Sequence, residues 1–214
     1  MIKAVLFDFD GVIVQSEPLH KKTFLDLLAP YGVEASRERW YREFAGTGSR
    51  RIFQALAQEY GIDVDIEELV ERRRKTFIEH AKRGELKEMP GLRPFLERLR
   101  ERGIKTAIVS GGHRSYIEIL LDMLGIGHHF DYIVSADEIK ARKPDPEPFL
   151  MAARELGASP GECLVIEDSY SGCEAARKAG MRLIWIRADA SMEAPECDLE
   201  VLDLLDGRID GLLG

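Results

Sequence analysis

The stretch Val5-Leu6-Phe7-Asp8-Phe9-Asp10-Gly11-Val12 constrains the fold more than any other part of the chain. An apolar run of the kind that forms a buried strand delivers two carboxylates, two residues apart, and then meets a glycine that lets the backbone turn. Successive strand side chains point to opposite faces, so Asp8 and Asp10 share one face while Phe7 and Phe9 occupy the other. Two acids side by side at the carboxyl end of a core strand repel each other and add nothing to packing. A cation would relieve that repulsion.

Beyond this strand the chain divides into two patterns. Helical spacing runs over 18–29 (Leu19, Phe24, Leu27, Leu28), 37–44, 50–60 and 66–83, punctuated by Pro30, Gly32, Gly46, Gly48 and Gly61, with no convincing strand. From Pro90 onward helices alternate with short apolar strands. Leu92, Phe95, Leu96 and Leu99 recur at helical spacing up to Gly103, and the next strand spans 104–110. Ser115 with Glu118 reads as a capping box for the helix carrying Ile117, Leu120, Leu121 and Leu124. Strands over 132–135, 163–166 and 182–186 then alternate with helices over 146–156 and 171–179, and a weak strand over 199–202 lies in the tail. Such alternation predicts a parallel sheet with helices on both faces. The expected fold is α/β, a Rossmann-like doubly wound sheet built from residues 1–14 and 89–214, with an all-helical cap over 15–88 inserted after the first strand. An insertion leaving just after Asp10 has to stand above the strand ends, where open α/β sheets bind ligands. That is the place of a lid.

Composition narrows the setting. With 214 residues, 45% hydrophobic and 32% charged, the chain has enough apolar material for a real core. A net charge of -8 argues against general binding to nucleic acid or an anionic membrane. No apolar stretch reaches the length of a bilayer span, and the first residues enter a strand carrying acids rather than a signal peptide, so the expected location is the cytoplasm. Cys163, Cys173 and Cys197 are odd in number and lack metal-site spacing, which marks them as reduced core or near-core residues. The absence of asparagine, beside dense interleaved charge, is what a thermophile's protein shows.

Four strand ends carry distinctive residues: Asp8-Phe9-Asp10-Gly11, Ser110-Gly111-Gly112, Lys143-Pro144-Asp145-Pro146 and Glu167-Asp168-Ser169. Each has an ordinary explanation. Glu167-Asp168 could cap a helix, Ser110 with its glycines could be a turn, and Lys143 could be a solvated loop residue. Together they supply what phosphoryl transfer requires. Asp8, the backbone carbonyl of Asp10, Glu167 and Asp168 are hard oxygen ligands suited to Mg²⁺. Gly11, Ser110 and the backbone N–H of Gly111 can receive phosphate oxygens, and Lys143 can balance the charge that spreads over them.

In these four motifs, in this order and over nearly the whole length, the chain resembles the haloacid dehalogenase superfamily, in the phosphatase and β-phosphoglucomutase-like subgroup with a helical cap. The resemblance implies a Mg²⁺-dependent phosphatase acting on a small phosphorylated metabolite. Asp8 would be the nucleophile that forms an aspartyl phosphate, and Asp10 the acid and base. Ser110 and Lys143 would bind phosphate, and Glu167 and Asp168 would hold magnesium.

Specificity is expected to lie in the cap. By resemblance, His20 matches a histidine of the mutase-like members, Arg50 falls where some of them bind a far phosphate, and Arg73 is near a cationic position that approaches the active site. Each can also be an ordinary helix residue, half-buried, solvated or paired with an acid. Gly46-Thr47-Gly48 lacks the third glycine of a dinucleotide fingerprint and reads as a cap loop facing the substrate. A β-phosphoglucomutase would use the same core and returns the phosphoryl group to a bisphosphate. A dehalogenase needs neither a second catalytic acid nor a metal pair, and a noncatalytic phosphate-binding protein would be expected to lack a core motif. A receiver domain places its acidic pair before the acceptor aspartate, the reverse of the order here. A monomer is expected for an enzyme whose lid has to move.

Overall fold

This computed structural model describes residues 1–44, 47–187 and 192–214. The chain divides into two compact units, Met1–Val14 with Glu88–Gly214, and Gln15–Lys87. In chain order the elements are β1 (Ala4–Phe7), α1 (Glu17–Leu28), α2 (Arg37–Glu43), α3 (Ser49–Tyr60), α4 (Ile66–Lys82), α5 (Leu92–Glu101), β2 (Lys105–Val109), α6 (Arg114–Leu124), β3 (Tyr132–Val134), α7 (Glu147–Leu156), β4 (Cys163–Glu167), α8 (Tyr170–Lys178), β5 (Arg182–Ile186), β6 (Leu199–Val201) and α9 (Asp210–Leu213).

Among the described residues the first unit holds one six-stranded sheet in the order β3-β2-β1-β4-β5-β6, and every pairing is parallel. The fold is α/β and doubly wound. Chain order runs outward from β1 in one direction through β2 and β3, then restarts at β4 on its other side. That reversal opens a crevice at the carboxyl ends of β1 and β4. All four residues of β1 are buried, as a central parallel strand covered on both faces requires. Ala4 and Leu6 join Ala107, Val109, Val165, Phe149 and Trp185 in one core cluster. Phe7, on the opposite face, meets Phe95 and Phe130 edge to face, with ring centroids 6.0 and 5.8 Å away. The four apolar residues of α5 that recur at helical spacing, Leu92, Phe95, Leu96 and Leu99, are all buried. Cys163 and Cys173 are buried free thiols, and burial pushes both up in pKa, so neither is a ready nucleophile.

Among the described residues, the regular elements of the second unit are all helices. Phe24, Leu28, Trp40, Phe44, Ile52, Phe53, Leu56 and Leu69 form its core, and α4 packs against α1 and α3. The starts of α2 and α4 are local chemistry. The Ser36 hydroxyl accepts from Arg39 N at 3.1 Å, and the Asp65 carboxylate accepts from Glu67 N and Glu68 N at 2.9 and 3.1 Å. Among the described residues no helix is long and apolar enough to cross a membrane.

One expected cap is corrected. Helix α6 begins at Arg114 after His113, so Ser115 lies inside its first turn and cannot serve as the cap. The capping carboxylate comes from elsewhere in the chain: Asp137 Oδ2 accepts from Arg114 N at 2.8 Å. Sequence spacing could not show a partner from the next βα connection.

Replacing Phe95 by alanine is expected to lower the free energy of unfolding of the α/β unit by about 3–5 kcal/mol. Urea denaturation read by Trp185 emission, in a Trp40→Phe background, measures it. A loss below about 1 kcal/mol would mean that this ring does not organise the Phe7 face.

Candidate active site

The site is assembled from the carboxyl ends of β1, β2 and β4 and from the loop before α7. Asp8 N donates to Ile166 O at 3.0 Å, extending the β1–β4 ladder one step so that the Asp8 side chain emerges beside the end of β4. The chain then closes a tight turn in which Gly11 N donates to Val14 O at 2.7 Å, and Ile13 and Val14 N–H groups both donate to Phe9 O. Phe9 is fully buried, whereas Asp8 and Asp10 are partly exposed, the alternation that the strand pattern demands.

Lys143 occupies the centre. Its ammonium donates to Asp8 Oδ1 and Glu167 Oε1, both at 2.5 Å, and to Val109 O at 2.9 Å, which matches its three donors with three acceptors. It also lies 4.9 Å from the centre of the Phe149 ring. Burial works against its charge, but Asp8 and Glu167 outweigh burial and hold its pKa above the ordinary lysine value. Asp8 is pushed up to about 7. Burial is the first cause, Lys143 opposes it, and the Glu167 and Asp10 carboxylates add to it.

Glu167 is wholly buried. Its Oε2 accepts from Asp168 N at 3.0 Å and from Ser169 N and Oγ at 2.9 Å. Helix capping itself falls to Ser169, whose hydroxyl accepts from Gly172 N at 3.0 Å. Thus Glu167 builds the strand-to-helix turn with one oxygen and holds Lys143 with the other. Two glycines make room for the acids. A side chain on Gly11, which also has a φ of +81°, would collide with the Asp168 carboxylate, and one on Gly172 with that of Glu167.

These acids fit a hard divalent cation. Oxygens of Asp8, Glu167 and Asp168 lie within 4.8 Å of one another beside the positive charge of Lys143, and the glycines leave the carboxylates their space. The donor set is all carboxylate, which suits Mg²⁺ rather than a thiolate- or imidazole-seeking metal.

Ser110 is buried at the end of β2. Its N–H bonds Val134 O at 2.9 Å and its hydroxyl accepts from Gly112 N at 3.0 Å, which leaves its proton to be donated to a ligand. Gly111 stands exposed in the same turn. Second contacts fix the two neighbouring loops. Ala136 N reaches Gly112 O at 2.9 Å, and His113 Nδ1 lies 2.7 Å from Asp137 Oδ1. The Asp137 carboxyl is held below its usual range by the Arg114 N–H and by His113. Around Lys143, the Glu147 carboxylate accepts from Lys140 N at 3.1 Å and Ala141 N at 2.7 Å, and Lys178 Nζ donates to Pro144 O at 3.1 Å. The Lys143–Pro144 peptide is cis.

The structure therefore brings Asp8, Lys143, Glu167 and Asp168 together, with Asp10, Gly11 and Ser110 on the adjoining strand ends. Asp137 and Glu147 carry no signal in the sequence, where they look like ordinary loop acids until the loops are folded. Nor does Tyr116, whose hydroxyl donates to Asp10 Oδ1 at 3.0 Å. In the helical unit His20 and Arg73 meet: the guanidinium contacts His20 Nδ1, donates to Ser49 Oγ at 3.3 Å and lies 4.8 and 5.2 Å from the Phe24 and Phe77 ring centres. His20 stacks on Phe77 at 4.5 Å. Arg50 is apart from that cluster, exposed and paired with Glu67 at 2.7 Å. In the Gly46-Thr47-Gly48 loop, Gly46 lies outside the described residues, and Thr47 Oγ1 donates to Phe44 O at 2.8 Å.

Known proteins share this sequence pattern and fold. Residues 5–186 match the family described as haloacid dehalogenase-like hydrolase. The chain is similar to the fructose-1-phosphate phosphatase YqaB of Escherichia coli, 35% identical over 185 residues that cover 86% of this chain and 95% of that protein. It is 33% identical over 187 residues to the phosphorylated carbohydrates phosphatase of Thermotoga maritima, with 86% and 84% covered. Among solved structures it resembles CbbY from Rhodobacter sphaeroides in complex with phosphate, with a TM-score of 0.81, 26% identity and 95% of each chain covered. A Thermotoga maritima structure ascribed to β-phosphoglucomutase gives a TM-score of 0.78, 28% identity and 94% coverage of each chain. With a matching family model over most of its length and the motif residues gathered at the carboxyl end of one parallel sheet, the chain belongs to the haloacid dehalogenase-like hydrolases, in their phosphatase subgroup.

Proposed function

We propose that this protein is a Mg²⁺-dependent phosphatase that hydrolyses small phosphomonoesters of the sugar-phosphate kind through an aspartyl phosphate on Asp8. The observation that carries it is the Asp8 carboxylate at the end of β1, hydrogen-bonded to a largely buried lysine and grouped with Glu167 and Asp168. An isolated carboxylate repels a phosphate dianion, and Lys143 offsets that repulsion at the attacking group itself. Asp8, Glu167 and Asp168 are the side chains that would hold the ion, with the Asp10 carbonyl. When bound, Mg²⁺ supplies charge neutralisation for the phosphoryl oxygens and for the attacking carboxylate.

In the first displacement an Asp8 oxygen bonds phosphorus in line as the bond to the leaving oxygen breaks, and Asp10 gives that oxygen a proton. In the second, water attacks the same phosphorus, Asp10 takes the water's proton, and Asp8 is released as a carboxylate. Ser110 donates to a phosphoryl oxygen, and Gly11 and Gly111 present backbone N–H groups. The relatives that act on fructose 1-phosphate and phosphorylated carbohydrates support a sugar phosphate as substrate. We assign substrate choice to the helical unit through His20 and Arg73, a half-buried imidazole and guanidinium set among aromatic faces.

A phosphomutase using the same core is supported by the likeness to the Thermotoga structure ascribed to β-phosphoglucomutase. The pairing of Arg50 with Glu67 works against it, because that cation is the one a far phosphate would need.

A panel of phosphomonoesters with Mg²⁺, including fructose 1-phosphate and β-glucose 1-phosphate with and without its 1,6-bisphosphate, is expected to release inorganic phosphate. Glucose 6-phosphate formed without phosphate release would favour the mutase. Asp8→Asn is expected to lower kcat by at least about a thousandfold and to leave no acid-stable phosphoenzyme. Appreciable turnover in protein verified free of deamidation would remove Asp8 from its role. Saturating Mg²⁺ is expected to raise the thermal unfolding midpoint of the wild type by roughly 2–4 °C and to leave Asp168→Asn almost unmoved. Equal shifts in the two proteins would remove Asp168 from the ligand set.

A further inference from the structure

Tyr116 belongs to none of the four motifs, yet it touches the group that moves protons. Its hydroxyl donates to Asp10 Oδ1 at 3.0 Å across 106 residues of chain. The ring that carries the hydroxyl meets Phe9 edge to face, with centroids 6.0 Å apart and planes at 76°. Phe9 is fully buried and sits between the two catalytic acids, so the ring is braced against a fixed neighbour. From the other side, Tyr116 lies in the first turn of α6, whose start is held by the Asp137 carboxylate through Arg114 N and His113. Two elements thus determine where the hydroxyl points, and that point is one oxygen of Asp10.

We propose that Tyr116 is a positioning residue for Asp10, fixing the plane of its carboxyl group and assigning the transferable proton to Oδ2. Hydrogen-bond direction distinguishes the two oxygens. A neutral carboxylic acid has one hydroxyl oxygen and one carbonyl oxygen. The oxygen that accepts from Tyr116 takes the carbonyl role, so the proton resides on the other. In the first displacement the Oδ2–H bond breaks and its proton goes to the leaving oxygen as the P–O bond to that oxygen breaks. In the second, Oδ2 accepts a proton from the water whose oxygen bonds phosphorus. Tyr116 donates to Oδ1 in both steps, so the same oxygen gives and receives without the carboxyl having to rotate.

This inference rests on the assignment of Asp10 as acid and base, and leaving-group dependence separates the two. The leaving oxygen of fructose 1-phosphate is an alkoxide that needs a proton, whereas p-nitrophenolate departs without one. In Tyr116→Phe, which keeps the ring and its contact with Phe9, kcat/KM for fructose 1-phosphate is expected to fall about tenfold, the upper end of what one neutral hydrogen bond contributes. For p-nitrophenyl phosphate it is expected to fall by less than about twofold, and this second rate also reports that the site is intact. Equal losses on both substrates, or no loss on the sugar phosphate, overturn the proposal. Asp10→Asn is measured on the same pair. Selective loss there without selective loss in Tyr116→Phe rejects the role of Tyr116 alone. Absence of selectivity in Asp10→Asn rejects proton transfer by Asp10 and the positioning role with it.

Discussion

The Lys143 ammonium, bonded at once to Asp8, Glu167 and the Val109 carbonyl, is the interaction on which the rest of the site depends. Three strand ends, β1, β2 and β4, each supply it with one acceptor. Without its charge the buried Glu167 and the largely buried Asp8 would face each other as uncompensated anions, an arrangement that costs several kcal/mol in a low-dielectric interior. The loop around it is built accordingly. Glu147 bonds the backbone of Lys140 and Ala141, and Lys178 bonds Pro144 O, so the lysine is aimed by residues that have no place in the chemistry. A site of this kind is preorganised for a phosphoryl group because its cation is already where negative charge will spread.

The acids around that cation outnumber it, and steric room is kept for them. The missing side chains of Gly11 and Gly172 are the volumes that the Asp168 and Glu167 carboxylates occupy. Glu167 divides its labour between the turn into α8 and the lysine, which makes the start of that helix part of the active centre. The raised pKa of Asp8 has its origin in the same crowding: burial is its first cause, and the other carboxylates add to it.

Much of this was legible in the residues. The β1 run with its two acids, the alternation of strand and helix after Pro90, and the helical stretch between them all rest on local periodicity, which the backbone obeys wherever it lies. The Ser110 and Glu167-Asp168 motifs could be placed at strand ends for the same reason, whereas Lys143, expected at a strand end too, comes from the loop before α7, well beyond the end of β3. The cap of α6 could not, because Ser115 and Glu118 satisfy a local spacing while the actual acceptor, Asp137, arrives from the next connection. Arg50 and Arg73 looked alike as cap cations. Folding sends one to Glu67 on the surface and the other into an aromatic cluster with His20.

Residue order alone sets the α/β alternation, the strand that bears Asp8 and Asp10, and the inventory of groups available for phosphoryl transfer. Those are consequences of short-range sterics and of side-chain chemistry. Tertiary structure decided the partnerships: which oxygens Lys143 holds, 135 residues from Asp8, which carboxylates the glycines shelter, and that Tyr116 reaches Asp10. Hydrogen bonds and ion pairs act over a few ångströms of space and carry no trace of their separation along the chain, so only the folded sheet, by setting its strand ends side by side, could select them.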